Sequence, residues 1–283
     1  MHCLAPRCLA ATLVLAVAAT AVGAEPPGRV VAVGGGVTEI VYALGAGDRL
    51  VAVDSTSIFP AAATRLPRVG YMRSLSSEGV LAMRPQALIA TAEAGPAVAL
   101  AQIRATGVPV TTVPSDHNLD TLRTRVRTIA AALGLESRGA DLETRIAAQW
   151  SEAERAVAGY AGRPKVLFLL AHTGNSAMVA GEETAADAMI RYAGARNALS
   201  GFKGYKPLTA EAAVNAAPDV VLITTEGLET VGGAERLWAR PGLALTPAGA
   251  ARRVVAFDAL YLLGFGPRLP QAVKDLAQAL HGG

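Results

Sequence analysis

Short apolar runs alternate with amphipathic stretches along most of the chain, a rhythm that predicts β-α-β units. Arg29 to Val33 and Leu50 to Val53 read as strands. Between them Gly34-Gly35-Gly36 forms a turn, and Thr38 to Leu44 a short helix closed by Gly45. Ala87 to Ala90 and Val108 to Val113 continue the alternation, with Val98 to Thr106 as the intervening helix. From Leu119 to Tyr160 the strand signals stop. Leu122, Val126, Ile129, Ala130 and Leu133 recur at helical spacing, Gly134 breaks the run, and Leu142, Ile146, Trp150 and Ala153 resume it. No proline interrupts this stretch, which therefore predicts one helix followed by a longer one. Strands return at Lys165 to Leu170, Val220 to Ile223 and Val254 to Phe257. Thr184 to Ala193 and Pro267 to Leu280 read as helices, and 224–250 as loop-rich.

Alternation of this kind predicts an α/β fold with mostly parallel sheets covered by helices. The expected organisation is an N-terminal lobe over 25–118, a helical segment over 119–160 that bridges the lobes, and a C-terminal lobe over 161–283. No low-complexity segment or flexible linker separates them, so an ordered helix joins the lobes.

One unit occurs twice. Gly70-Tyr71-Met72-Arg73 precedes a helix with Glu78 near its start, then Pro85 and the strand Ala87 to Ala90. Gly204-Tyr205-Lys206 precedes a helix with Glu211 near its start, then Pro218 and the strand Val220 to Ile223. Glycine permits a turn that other residues resist. Ser76 or Ser77 suits the cap of the first helix. Each half thus offers a tyrosine loop and a glutamate helix, which suggests two lobes facing one ligand in the cleft between them.

The chain has 283 residues, 52% of them hydrophobic and 17% charged, enough to bury a full core. The formal charge of +3 is mild, and no dense basic run supports nucleic-acid binding. Residues 1–24 read as a cleaved secretory signal. Arg7 supplies the positive region, Cys8 to Thr20 the apolar one, and Val22-Gly23-Ala24 a small-residue cleavage site. Both cysteines, Cys3 and Cys8, fall inside it, so the exported chain is expected to carry no disulfide or thiol nucleophile. Ala5-Pro6-Arg7 before Cys8 is a poor lipoprotein context, which points to a soluble exported protein.

The opening β-Gly-α-β invites a dinucleotide reading, with Asp54 near the place of a ribose carboxylate. The fingerprint fails, because with Gly34 as its first position the sixth is Glu39. An exported enzyme using the 34–36 turn or Asp54 on a phosphorylated ligand is the remote alternative, with Arg29 or Arg49 assisting. No Ser-His-Asp arrangement and no His-Glu-x-x-His motif supports an enzyme.

Arg29 to Asp54 resembles the opening of the helical-backbone periplasmic substrate-binding proteins, which serve ABC importers of haem, siderophores and cobalamin. Within that class, Gly70 to Gly79, Met178 to Ile190 and Gly204 to Glu211 are similar to the hemin-binding proteins of the HmuT type. The resemblance covers essentially all of the chain after the signal. It implies two α/β lobes joined by a long helix, ferric haem in the cleft, tyrosine as iron ligand, and hand-over to an inner-membrane permease. The protein is expected to act in the periplasm as a monomer. A ferric-siderophore or cobalamin binder on the same scaffold is the alternative.

On that resemblance Tyr71 is the expected iron ligand. A phenolate suits ferric iron, and tyrosine ligation of haem has precedent. Arg73 would stabilise the phenolate or pair with a propionate. Tyr205 would stack on the porphyrin or bond a propionate, with packing on its own lobe as the plainer role. Lys206 and Lys203 would meet carboxylates, and Met72 would line the pocket. His172 follows a strand and resembles the histidine through which some relatives hold a second haem; a structural histidine is the other reading. One haem needs only Tyr71, and one per chain is the expectation. Met83 and Met189 read as core, and His117 as a loop residue. Glu78 and Glu211 favour their helix dipoles. The resemblance adds docking of both onto arginines of the permease.

Overall fold

The computed structural model describes residues 26–171 and 177–282. The signal assignment and His172 lie outside them. In the first lobe, strands β1 (Val30–Val33), β2 (Leu50–Val53), β5 (Ala87–Thr91) and β6 (Val110–Val113) form one parallel sheet in the order β2-β1-β5-β6. The short strands β3 (Gly70–Tyr71) and β4 (Ser74–Leu75) pair as an antiparallel hairpin. Helices α1 (Gly35–Ala43), α2 (Ser77–Ala82) and α3 (Ala97–Ala105) complete the lobe. Val30 to Val33 and Ala87 to Thr91 are buried throughout, as expected of strands covered on both faces.

Helices α4 (Leu119–Leu133) and α5 (Glu136–Ala158) follow. Asn118 caps α4 by accepting from the Thr121 N–H at 2.8 Å. Gly134 closes it in the left-handed region at φ 63°. Leu122, Val126, Ile129, Ala130 and Leu133 are buried, as their spacing predicts. At 23 residues, α5 runs about 35 Å, long enough to span a domain. It packs on α4 and on α12 (Leu269–His281) of the other lobe.

The second lobe carries a mixed sheet: β7 (Lys165–Leu170), β8 (Met178–Ala180), β9 (Arg196–Asn197), β10 (Tyr205–Pro207), β11 (Val220–Thr224) and β12 (Val254–Phe257). β7, β11 and β12 are parallel neighbours, while β8 and β10 add an antiparallel edge. Helices α6 (Ala185–Tyr192) and α7 (Ala210–Ala216) precede the short helices α8 (Thr225–Thr230), α9 (Ala234–Trp238) and α10 (Pro247–Ala250). The stretch expected to be loop-rich therefore holds three short helices. Thr224 and Thr246 cap two of them, and none is long enough to display a periodic apolar face.

The expected 34–36 turn is also revised. Gly34 alone takes a positive φ, 106°, and α1 begins at Gly35. The next two glycines serve packing. A Cβ at Gly35 would meet Leu260 and one at Gly36 the Gly264 carbonyl, each at 2.5 Å. Helix α11 (Ala259–Leu263) and the glycine that follows it thus seat on the first turn of α1 and close a seam between the lobes. Two groups reinforce it. Arg125 Nη1 donates to the Phe265 carbonyl at 3.2 Å, and Arg268 makes a two-pronged bond to the buried Glu39 at 2.6 and 2.9 Å.

Candidate functional site

The parallel sheet of the first lobe points all its carboxyl ends at one edge, where open α/β sheets place ligand loops. The β3–β4 hairpin lies across that edge. The Ser55 N–H donates to the Gly70 carbonyl at 2.8 Å, tying the hairpin to the end of β2. The Gly95 N–H donates to the Met72 carbonyl at 2.9 Å, and the Leu75 N–H to the Gly95 carbonyl at 2.8 Å, tying it to the exit of β5. Gly70 makes the turn possible with φ 100°. So anchored, the backbone leaves Tyr71 43% exposed, an unusual position for a large ring.

Arg73 Nη1 donates to the Tyr71 hydroxyl at 3.0 Å. Its Nη2 is bonded to the Glu93 carboxylate. Burial lowers the Arg73 pKa, but Glu93 and Tyr71 together outweigh it, so the guanidinium stays above its ordinary value. A fixed cation therefore stands on the phenol oxygen.

The second lobe faces this pair with Tyr205 on β10, which pairs antiparallel with β8 (Tyr205 opposite Ala180). Burial, the largest influence, raises its pKa, opposed by Thr184 and by the charge of Arg73, while Glu93 adds to it. The charges of Arg73 and Glu93 in the first lobe thus act on a tyrosine of the second. Gly204 before it has φ 75°, the counterpart of Gly70.

His117 follows β6, half-buried, with its ring edge-on to Phe265 at 5.2 Å. Burial, the largest influence, lowers its pKa, with Glu93, Arg125 and Asp116 as smaller influences, so the neutral form extends below the usual imidazole range. Glu93 and the close approach of His117 were missed in the sequence. Both stand at the exits of strands, the one signal that would have raised them.

Lys206 leaves the strand on the opposite face from Tyr205, as alternation requires, and lies 4.5 Å from the Phe202 ring. Lys203 pairs with Glu183 at 2.6 Å. Met72 packs against the first-lobe core that contains Leu75 and Val80. Met83 joins the same cluster, and Met189 is fully buried in the larger one.

Glu78 and Glu211 occupy the same place in their helices. Each is exposed in a first turn capped by a hydroxyl: Ser76 accepts from the Gly79 N–H and Thr209 from the Ala212 N–H, both at 3.1 Å. The repeat seen in the sequence is therefore a repeat in local structure.

The glycine turn and Asp54 do not form an anion site. Asp54 is fully buried and accepts from the Gly34 and Thr56 N–H groups and from the Thr56 and Ser57 hydroxyls, at 2.6–3.0 Å. The Gly35 N–H is taken by Thr56 Oγ1 at 2.9 Å. The donors that would hold a phosphate at this helix start are spent inside the lobe, and the seam covers the rest.

A family model described as periplasmic binding protein matches residues 30–261. The fold is similar to that of BhuT, a periplasmic haem-binding protein solved in complex with two haems: 52% identity, TM-score 0.87, covering 90% of this chain and 98% of that one. It is similar to the apo form of RhuT, a periplasmic haem-binding protein from Roseiflexus sp. RS-1: 42% identity, TM-score 0.88, covering 92% and 99%. A sequence relative is YvrC of Bacillus subtilis, described as an uncharacterized ABC transporter substrate-binding lipoprotein, 26% identical over 260 residues, 91% of this chain and 81% of that one.

Proposed function

The chain belongs to the periplasmic binding protein family, and on that premise we propose that it captures ferric haem in the cleft between its lobes and delivers it to an ABC importer of the inner membrane. The observation that carries the reading is the Arg73 guanidinium bonded to the hydroxyl of an exposed tyrosine on the hairpin at the sheet's carboxyl edge, in a chain half identical to a haem-binding protein along nearly its whole length.

Tyr71 is the iron ligand in this reading. An unperturbed phenol titrates near ~10, so ferric iron and Arg73 together keep the bound oxygen anionic at neutral pH. Tyr205 closes the cleft from the other lobe, offering its ring to the porphyrin or its hydroxyl to a propionate. Glu78 and Glu211, one on each lobe, dock onto cationic residues of the permease.

The test is titration of the purified protein with hemin. A Soret shift and tyrosinate-to-iron charge-transfer bands are expected. Arg73→Ala, the loss of an outer partner of the metal ligand, should cost about 10–100-fold in affinity, and Tyr71→Ala more. Wild-type spectra and affinity in both Tyr71→Phe and Tyr71→Ala would end the ligand assignment and make His172 the next residue to test. An endpoint near two haems that falls in His172→Ala would add a second site. Failure to bind hemin, with tight binding of cobalamin or a ferric siderophore, would replace haem with that ligand.

A further inference from the structure

Glu93 stands on the turn that leaves β5, with its side chain 30% exposed. Its charge reaches Arg73, His117, Arg125 and Tyr205. These four come from the hairpin, the exit of β6, helix α4 and the second lobe. Asp116 reaches only His117 and Arg125 among them. Glu93 is therefore the acid common to all four.

Its direct partner is Arg73. The Arg73 side chain is 55% exposed, and a long side chain in that position has large rotamer freedom to lose. A guanidinium is planar, so holding Nη2 fixes the direction of Nη1. Glu93 holds Nη2, and Nη1 then donates to Tyr71 at 3.0 Å. The backbone keeps the two together. Ala92 donates to Val113 at 2.8 Å and Ala94 to Thr91 at 2.9 Å, which pins the turn. Gly95 then exchanges hydrogen bonds with both Met72 and Leu75 of the hairpin that carries Arg73.

We propose that Glu93 is a positioning residue of the cleft, aiming the Arg73 guanidinium at the Tyr71 oxygen and so setting the strength with which that tyrosine holds its ligand. The inference rests on the haem reading for its consequence but not for its geometry. The experiment uses the full exported chain and two readouts. In ligand-free protein, the 13Cζ resonance of Tyr71, assigned by its loss in Tyr71→Phe, reports the bond from Arg73. Arg73→Ala should move it, Glu93→Ala should move it in the same direction, and Glu93→Gln, which keeps an acceptor for Nη2, should restore most of the wild-type shift. In hemin titrations, Glu93→Ala should cost roughly tenfold in affinity, the loss of one charge-assisted bond, and displace the tyrosinate charge-transfer band toward that of Arg73→Ala. The double variant Glu93→Ala/Arg73→Ala should bind no worse than Arg73→Ala alone, because the acid acts only through the arginine. Additive losses, or an unmoved Tyr71 resonance in Glu93→Ala while Arg73→Ala moves it, would overturn the proposal. A wild-type protein that takes up no hemin would instead defeat the haem reading and leave the resonance measurement to decide the anchor.

Discussion

Arg268→Ala should destabilise this protein far more than Glu39→Gln, although each removes half of the same ion pair. The two partners stand in different surroundings. The Glu39 side chain is 4% exposed and that of Arg268 28%. Without Arg268, the carboxylate stays buried and loses both its donors. Breaking a buried pair in that way costs about 3–5 kcal/mol. The cation also lies 3.7 Å from the Phe59 ring and 4.8 Å from the Tyr261 ring, contacts of about 0.5–1 kcal/mol each at partly exposed sites. Glu39→Gln keeps the shape and one acceptor, and leaves a guanidinium still in reach of water and of both rings. Its cost should be about 1–2 kcal/mol. For a chain of this size Arg268→Ala should then lower Tm by roughly 6–20 °C.

The pH dependence sharpens the test. Burial, the largest influence, raises the Glu39 pKa above the ordinary carboxylate value, although Arg268 pulls it down. A raised folded-state pKa means the folded protein holds the proton more tightly than the unfolded chain. Its contribution is full below the unfolded value and is lost as pH rises through the folded one. Removing Arg268 lifts the folded value further. The Arg268→Ala deficit should therefore be largest near pH 8 and shrink toward pH 5. Urea unfolding of the two variants at both pH values measures it. Equal costs, or a deficit independent of pH, would refute the reasoning.

The remaining expectations follow from the seam and the repeat. Gly36→Ala places a methyl 2.5 Å from the Gly264 carbonyl and should cost about 1–3 kcal/mol as overpacking; an unchanged Tm would mean the lobes shift at no cost. Glu78→Ala or Glu211→Ala should weaken hemin-dependent ATPase stimulation of the reconstituted importer only partly, since one exposed ion pair is worth roughly 0–1 kcal/mol. The double variant should lose more while binding hemin normally, and wild-type stimulation by it would leave both residues as helix-dipole partners.

What the sequence determined by itself was local. Apolar spacing marked the parallel strands and the two helices over 119–160, because burial on one or two faces imposes a period that survives in any context. The repeat was visible because a positive-φ glycine, a capping hydroxyl and a first-turn carboxylate act within a few residues of each other. Strands of three residues, such as Met178–Ala180 and Tyr205–Pro207, left no period to read. Nor did the short helices after Thr224.

Tertiary structure decided which of these pieces meet. Arg73 follows Tyr71 by two residues, and their bond was foreseeable. Its other partner, Glu93, lies 20 residues away, and only the hydrogen bonds between the hairpin and the β5 exit bring them together. Glu39 and Arg268 are 229 residues apart. In sequence one is an acid in a helix and the other a base before a helix, and neither advertises a buried pair. Whether two distant charges meet depends on how the lobes dock, and that docking is fixed by the summed packing of small contacts such as Leu260 on Gly35. No single segment encodes that sum, so the seam between the lobes and the far wall of the cleft emerge only when the whole chain is folded.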